Sequence, residues 1–390
     1  MKKRIHLCDI RIAVLLILQF AFLIEPAYIS SIRNMHLIWS TGKIIVTIIA
    51  IFSIFIHRVK IASWIYWFIV LQLFFIVSSI ICNDNLIYAI KRIAYSVVLL
   101  LVLEVNKKRN YLLCIKCLCF VMSCYAIINL YTLFAYPNGL YVDKMGFKNC
   151  WFLGYDNVTA AIILTGASLG IIISKNSKST ITKLLVIGLT VSCLLYTIKL
   201  NIATAIIMII AYVCVIIANE MIFYHHKKIT AVILTLTSII VFFVLQFIGV
   251  SELFGGLFKL LGKSATLTGR TLLWAKALRD IMASKWIGYG VQDGTVLIRH
   301  FNIYFAGHLH SYFLQVLYEG GIIGFVIFVI VLFKSALSAD RYKENAMYSY
   351  VLAGFFMILV AFQVEAYFSI IMIFVIHLHL VNNINLLASN

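Results

Sequence analysis

Long apolar runs that carry no charge limit what this chain can fold into. Ile44–Ile56, Val97–Leu103, Ile202–Ala218 and Gly321–Phe333 contain no Asp, Glu, Lys, Arg or His. Each sits inside a stretch near the ~20 residues that a helix needs to cross a bilayer. Only 12% of the 390 residues are charged and 63% are hydrophobic, so a soluble domain of this size could not coat its surface. With two prolines in the chain, few of these helices would be broken. The expected fold class is all-α, a polytopic transmembrane helical bundle.

The net charge of +18 does not point to nucleic acid, because Lys and Arg cluster between the apolar runs, where they encode membrane topology. With the N-terminus inside, the spans read approximately 10–30, 37–56, 63–82, 86–103, 111–135, 157–174, 183–199, 201–219, 229–249, 309–333, 347–365 and 367–387. The loops then placed inside are His57–Lys60, Asn106–Arg109, Lys175–Lys183, His225–Lys228 and Lys334–Lys343, all basic. About 12 spans result, with both termini cytoplasmic. Lys2, Lys3 and Arg4 precede an apolar run, but Glu25-Pro26 follows it in place of a small-residue cleavage site. The nine cysteines lie mostly in apolar segments, Cys114, Cys117 and Cys119 included, and read as small hydrophobes with no metal site.

The chain reads as a single membrane domain, 1–390, with one large extracytoplasmic loop at 250–308. That loop carries Lys259, Lys263, Arg270, Lys276, Arg279, Lys285 and Arg299 against Glu252, Asp280 and Asp293. Cations outside oppose what insertion favours, so an anionic ligand at the outer face is the expected reason for them. Within the loop, Thr268–Met282 has the periodicity of an amphipathic helix with Thr268 as its cap. Its plainer reading is an interfacial helix with Trp274 at the headgroups. Where the loop re-enters the membrane stands Gly307-His308-Leu309-His310-Ser311, followed by Glu319, Gly320, Gly321 and Gly324. Glu319 would lie ~14 Å below His310 at ~1.5 Å rise per residue. The glycines alone need mean no more than close helix packing.

The spacing His310-Ser311, nine residues, Gly321-Ile322-Ile323-Gly324 resembles the histidine signature of the O-antigen ligase and polymerase superfamily. Gly269-Arg270 to Trp274, and Trp286-Ile287-Gly288-Tyr289-Gly290, are similar to the segment that precedes it in that family. Phe152-Leu153-Gly154-Tyr155-Asp156-Asn157 resembles an element of Wzy-type polysaccharide polymerases. The earlier outer loop departs from the pattern, carrying Lys144 and Lys148 where an arginine motif is common, which puts its role in doubt.

The resemblance implies transfer of glycan from a polyprenyl-pyrophosphate-linked oligosaccharide at the outer face of the bacterial cytoplasmic membrane. Arg270 and Arg279 would stabilise the departing pyrophosphate and His310 would act as base, with Glu365, ahead of Glu319, as its orienting carboxylate. Arg92, Lys199, Asn157, Lys276 and Ser311 are expected to bind substrate. No cofactor or metal is expected, and outside the lipid bilayer and the substrate a chain-length regulator is a candidate partner. The signature does not separate a polymerase from a ligase; Phe152–Asn157 leans towards polymerase. A transporter or flippase is the alternative of another class, disfavoured by asymmetric loops and the lack of visible repeats.

Overall fold

The computed structural model describes residues 7–59, 61–82, 85–143, 146, 148–177, 179–222, 228–247 and 269–387. In hydrocarbon a spanning segment must satisfy its own backbone polar groups, and the apolar runs accordingly form helices. They are α1 (Leu7–Leu23), the short α2 (Ala27–Ser31), α3 (Arg33–His57), α4 (Ser63–Ile81), α5 (Leu86–Ala135), α6 (Asp156–Lys175), α7 (Thr180–Lys199), α8 (Ala203–Ile217) and α9 (Ala231–Phe247). After them come α10 (Arg270–Ala283), α11 (Gly294–Phe301), α12 (Tyr312–Asp340), α13 (Tyr348–Ala361) and α14 (Phe368–Val381).

Among the described residues eight helical stretches are long and apolar enough to cross a membrane, and four shorter apolar helices join them. The fold is a polytopic helical bundle, as expected. One difference lies at Asn106–Arg109, expected to be a basic loop. The helix runs through it and breaks at Asn110 (φ −162°, ψ 86°), whose Oδ1 accepts from the Leu113 N–H at 3.0 Å and caps the second half of α5.

Burial is graded from the middle outward. In α6, 78% of the apolar window is buried, against 22% in α3 and in α7, whose Phe52, Phe55, Leu184 and Leu185 face outward as lipid-contacting side chains do. At the centre α12 packs on α4, α9 and α14, and α13 on α8, α9 and α14. Tyr312, Phe313, Phe328, Phe362 and Phe374 interlock where α12 and α14 meet the α13–α14 turn.

Two features at one end of the bundle are not spans. A hairpin pairs β1 (Tyr141–Val142) with β2 (Asn149–Cys150). The other is α10 and α11, which fill the described part of the expected large loop; its residues 250–268, with Lys259, Lys263 and Thr268, lie outside the described residues. Helix α10 starts from Gly269 at its N-cap, in the left-handed region at φ 86°. Its Trp274 does not face headgroups: it is buried, and its Nε1 donates to the Leu309 carbonyl at 2.8 Å.

Candidate active site

Helix α12 is broken where the glycines fall. Gly321 (φ 58°, ψ −162°) interrupts the ladder, and the segment after α10 docks into the opening. Tyr289 and Gly290 N–H donate to the Tyr318 and Glu319 carbonyls at 2.9 and 3.0 Å, and Ile322 and Ile323 N–H donate to Lys285 and Trp286 at 2.7 and 3.2 Å. The groups freed by the break are thereby satisfied, as burial demands. A Cβ on Gly321 would stand 2.4 Å from the Trp286 carbonyl carbon, and one on Gly288 2.5 Å from the Tyr318 carbonyl. These glycines let two backbone segments touch, which is a different task from helix–helix packing.

The break seats the loop that carries the histidines. Ser311 caps α12 through Leu314 N–H and reaches the Phe362 carbonyl at 3.3 Å, while Tyr312 N–H donates to the same carbonyl at 2.8 Å. His310 sits one residue earlier in the left-handed region (φ 53°), unusual for a residue with a Cβ. Its Nε2 lies 3.1 Å from the Phe305 carbonyl, an obligate acceptor, so Nε2 carries the proton and the buried, unpartnered Nδ1 keeps its lone pair. The His310 backbone N–H donates to His308 Nδ1 at 3.2 Å, which puts the proton of His308 on Nε2. The two rings stand 4.0 Å apart. Burial pushes both imidazoles down, helped by Arg270 and, for His310, by His308; His308 falls to about 3. Both are neutral.

His308 and His310 line a cavity of about 420 Å³ with Arg270, Lys148, Tyr155, Asp143 and Phe305. Lys148 lies over the Tyr155 ring at 4.3 Å. Arg270 donates to the Val364 carbonyl at 2.5 Å and lies 3.4 Å from Glu365, using two of its five N–H groups. Glu365 also accepts from Asn157 at 2.7 Å and Thr204 at 3.1 Å. Burial raises its carboxyl above the ordinary range, against the pull of Arg270. The Phe152–Asn157 segment is held by Asn129 and Thr132, which accept from Leu153 and Phe152 N–H at 2.8 and 3.3 Å. This sets Tyr155 in the cavity wall. A neutral His310 with a bare nitrogen, beside a neutral N–H donor in His308 and two cations, can take a proton at one point while its neighbours stabilise an anion at another.

Residues 160–329 match the family model described as O-antigen ligase. A stretch of 101 residues is 32% identical to the exopolysaccharide production protein ExoQ of Rhizobium meliloti (strain 1021); it covers 22% of this chain and 23% of that relative. The family-model match, over less than half of the chain, makes that part of it similar to the O-antigen ligase family. The chain's apolar helices are those of a multi-pass membrane protein, and it matches less than a quarter of the ExoQ relative's length. The match to the O-antigen ligase model takes in Arg270, His308, His310 and the Gly321 break, but not Lys148 or Glu365.

Not every residue expected at the site is there. Glu365 meets Arg270 and Asn157, while His310 is oriented by the Phe305 carbonyl, so the expected carboxylate–histidine pairing is not made. Arg279 is on the exposed side of α10, away from the cavity lining. Lys276 donates to the Phe301 carbonyl at 2.7 Å and ties α10 to α11, and Lys199 lies over the Phe134 ring at 4.4 Å. Arg92 is committed to Glu319 by both guanidinium arms. Ser311 is a helix cap. Sequence reasoning missed His308 and Tyr155 and doubted Lys148. The i, i+2 pair of histidines was the available signal, although the backbone that carries them is bent rather than extended.

Proposed function

We propose that the protein is a glycosyltransferase that joins polyprenyl-pyrophosphate-linked oligosaccharides at the outer face of the bacterial cytoplasmic membrane, in the mode of a polymerase. The observation that carries the reading is His310: a neutral imidazole, its Nε2 proton fixed on Phe305, its Nδ1 lone pair unpartnered, in a cavity shared with Arg270 and Lys148. His310 Nδ1 takes the proton of the acceptor hydroxyl as that oxygen bonds to the anomeric carbon. The bond from that carbon to the pyrophosphate oxygen breaks, and its electron pair leaves with the lipid pyrophosphate. Arg270 and Lys148 stabilise that charge, and His308 Nε2–H donates to it. The charge is met by protein cations, so the reaction is metal-independent.

A second cavity of about 320 Å³ adjoins the first across Tyr155 and supports a lipid-linked donor. Leu23, Ile24, Met122, Ile162, Met372, Ile373 and Ile376 line it, with the Glu25–Lys43 pair. Transfer to a final acceptor, as a ligase performs, is the second reading, favoured by the description of the matched family. Replacing His310 with Ala in the native host, with protein level checked, separates the outcomes. Loss of long glycan with single repeat units remaining supports the polymerase. Long lipid-linked chains that fail to reach their acceptor point to the ligase. An unchanged length distribution removes His310 from the chemistry.

A further inference from the structure

The backbone next to His310 is clamped from two sides, and the clamp leads to a buried ion pair that the proposed chemistry does not use. Leu309 N–H donates to Gln315 Oε1 at 2.9 Å, and the Leu309 carbonyl accepts from Trp274 Nε1 at 2.8 Å. Gln315 Nε2 donates to Glu319 Oε1 at 2.6 Å, and Glu319 is held by both arms of Arg92 from α5. Gln315 is 3% exposed and Glu319 0%.

The direction of this relay follows from charge. A carboxylate at that depth requires a cation, and Arg92 supplies it. An ionised carboxylate only accepts, so the amide of Gln315 must turn its nitrogen toward Glu319. Its oxygen is then left for Leu309, whose N–H has no choice but to donate. The peptide that precedes His310 is thereby fixed, and with it the left-handed backbone that a residue with a Cβ adopts only when its surroundings hold it there.

We infer that Gln315 is a positioning residue: set by the Arg92–Glu319 pair, it and Trp274 hold the Leu309 peptide so that His310 keeps Nδ1 bare toward the cavity. The inference rests on the proposed role of His310 as base. Two variants release the peptide independently, Gln315→Met from α12 and Trp274→Phe from α10, so a folding defect in one leaves the other to decide. The full-length protein in host membranes would be assayed with the host's own lipid-linked glycan, and its histidine side chains, labelled with nitrogen-15, read for tautomer.

The expected result is a tenfold or greater loss in kcat with KM within twofold, and a His310 signal that changes from one tautomer to an average of two. Unchanged kcat with an unchanged His310 signal overturns the positioning role, as does a loss confined to KM. Because the tautomer is read without turnover, the two ideas fail separately. If His310→Ala remains active while Gln315→Met still mixes the tautomers, the base assignment is wrong and the positioning stands. If His310→Ala is dead while Gln315→Met leaves signal and kcat intact, the positioning alone is wrong.

Discussion

His310 and His308 illustrate how a few contacts decide the chemistry available to a side chain. An imidazole in water titrates near ~6.5 and is a mixture of tautomers at neutrality. Here one carbonyl and one peptide N–H select a tautomer each, and burial beside Arg270 keeps both rings neutral. The folded state therefore binds fewer protons than the unfolded state between the lowered values and ~6.5. This contribution to stability is fully present above ~6.5 and is lost as pH falls through that range. With His310 as the proposed base, the same shift sets the expected pH dependence of kcat/KM. An ordinary base would lose about tenfold in kcat/KM between pH 7.5 and pH 5.5, whereas this one is expected to lose less than twofold. A profile with half its maximum near pH 6.5 would contradict the burial of His310. The histidine itself was legible in the sequence, through its spacing to Gly321. The fate of the nearby cations was not. Arg92, Lys276 and Lys199 carry the same charge as Arg270 in the chain, and only folding reveals that Glu319, Phe301 and Phe134 already engage them.

Helix α12 unites a cap, a relay and a break within its first ten residues. Gly321 and Gly324 are both part of the histidine signature yet have different surroundings. A methyl group on Gly324 would lie 3.4 Å from the Phe74 ring, an ordinary contact; on Gly321 it would meet backbone at 2.4 Å with φ at +58°. Gly321→Ala is expected to cost at least about 2 kcal/mol, from overlap and backbone strain, and to displace the Trp286–Gly290 segment. Gly324→Ala should stay within about 1 kcal/mol of the parent. Thermal unfolding of both variants in the same detergent measures the difference, and equal midpoints would mean that the break does not need its glycine. From sequence the glycines read as helix-packing residues. Periodicity registers a helix and is silent about a single interrupted turn, so the docked segment stayed hidden although its own motif was recognised.

Across the whole molecule, the spans were the most readable feature, because apolar length reports directly on the bilayer. Among the described residues, eight long and four shorter apolar helices stand where twelve were expected, and the shift at Asn110 moves one turn by a few residues. Assembly of the site was less readable. Lys148 from the hairpin loop, Tyr155 at the entry to α6, Arg270 at the start of α10 and the loop before α12 converge from distant parts of the chain. No local pattern encodes that convergence. It makes the site a property of the complete bundle and predicts that activity needs all of these segments at once. The most direct test is reconstitution: purified protein, treated with a chelator, in liposomes that contain the host's lipid-linked repeat unit as sole substrate. The expected result is a ladder of longer lipid-linked glycans, with one polyprenyl pyrophosphate released per transfer, and no ladder with His310→Ala. A parent protein that requires a divalent cation, or a His310→Ala variant that builds the same ladder, would contradict the proposed mechanism.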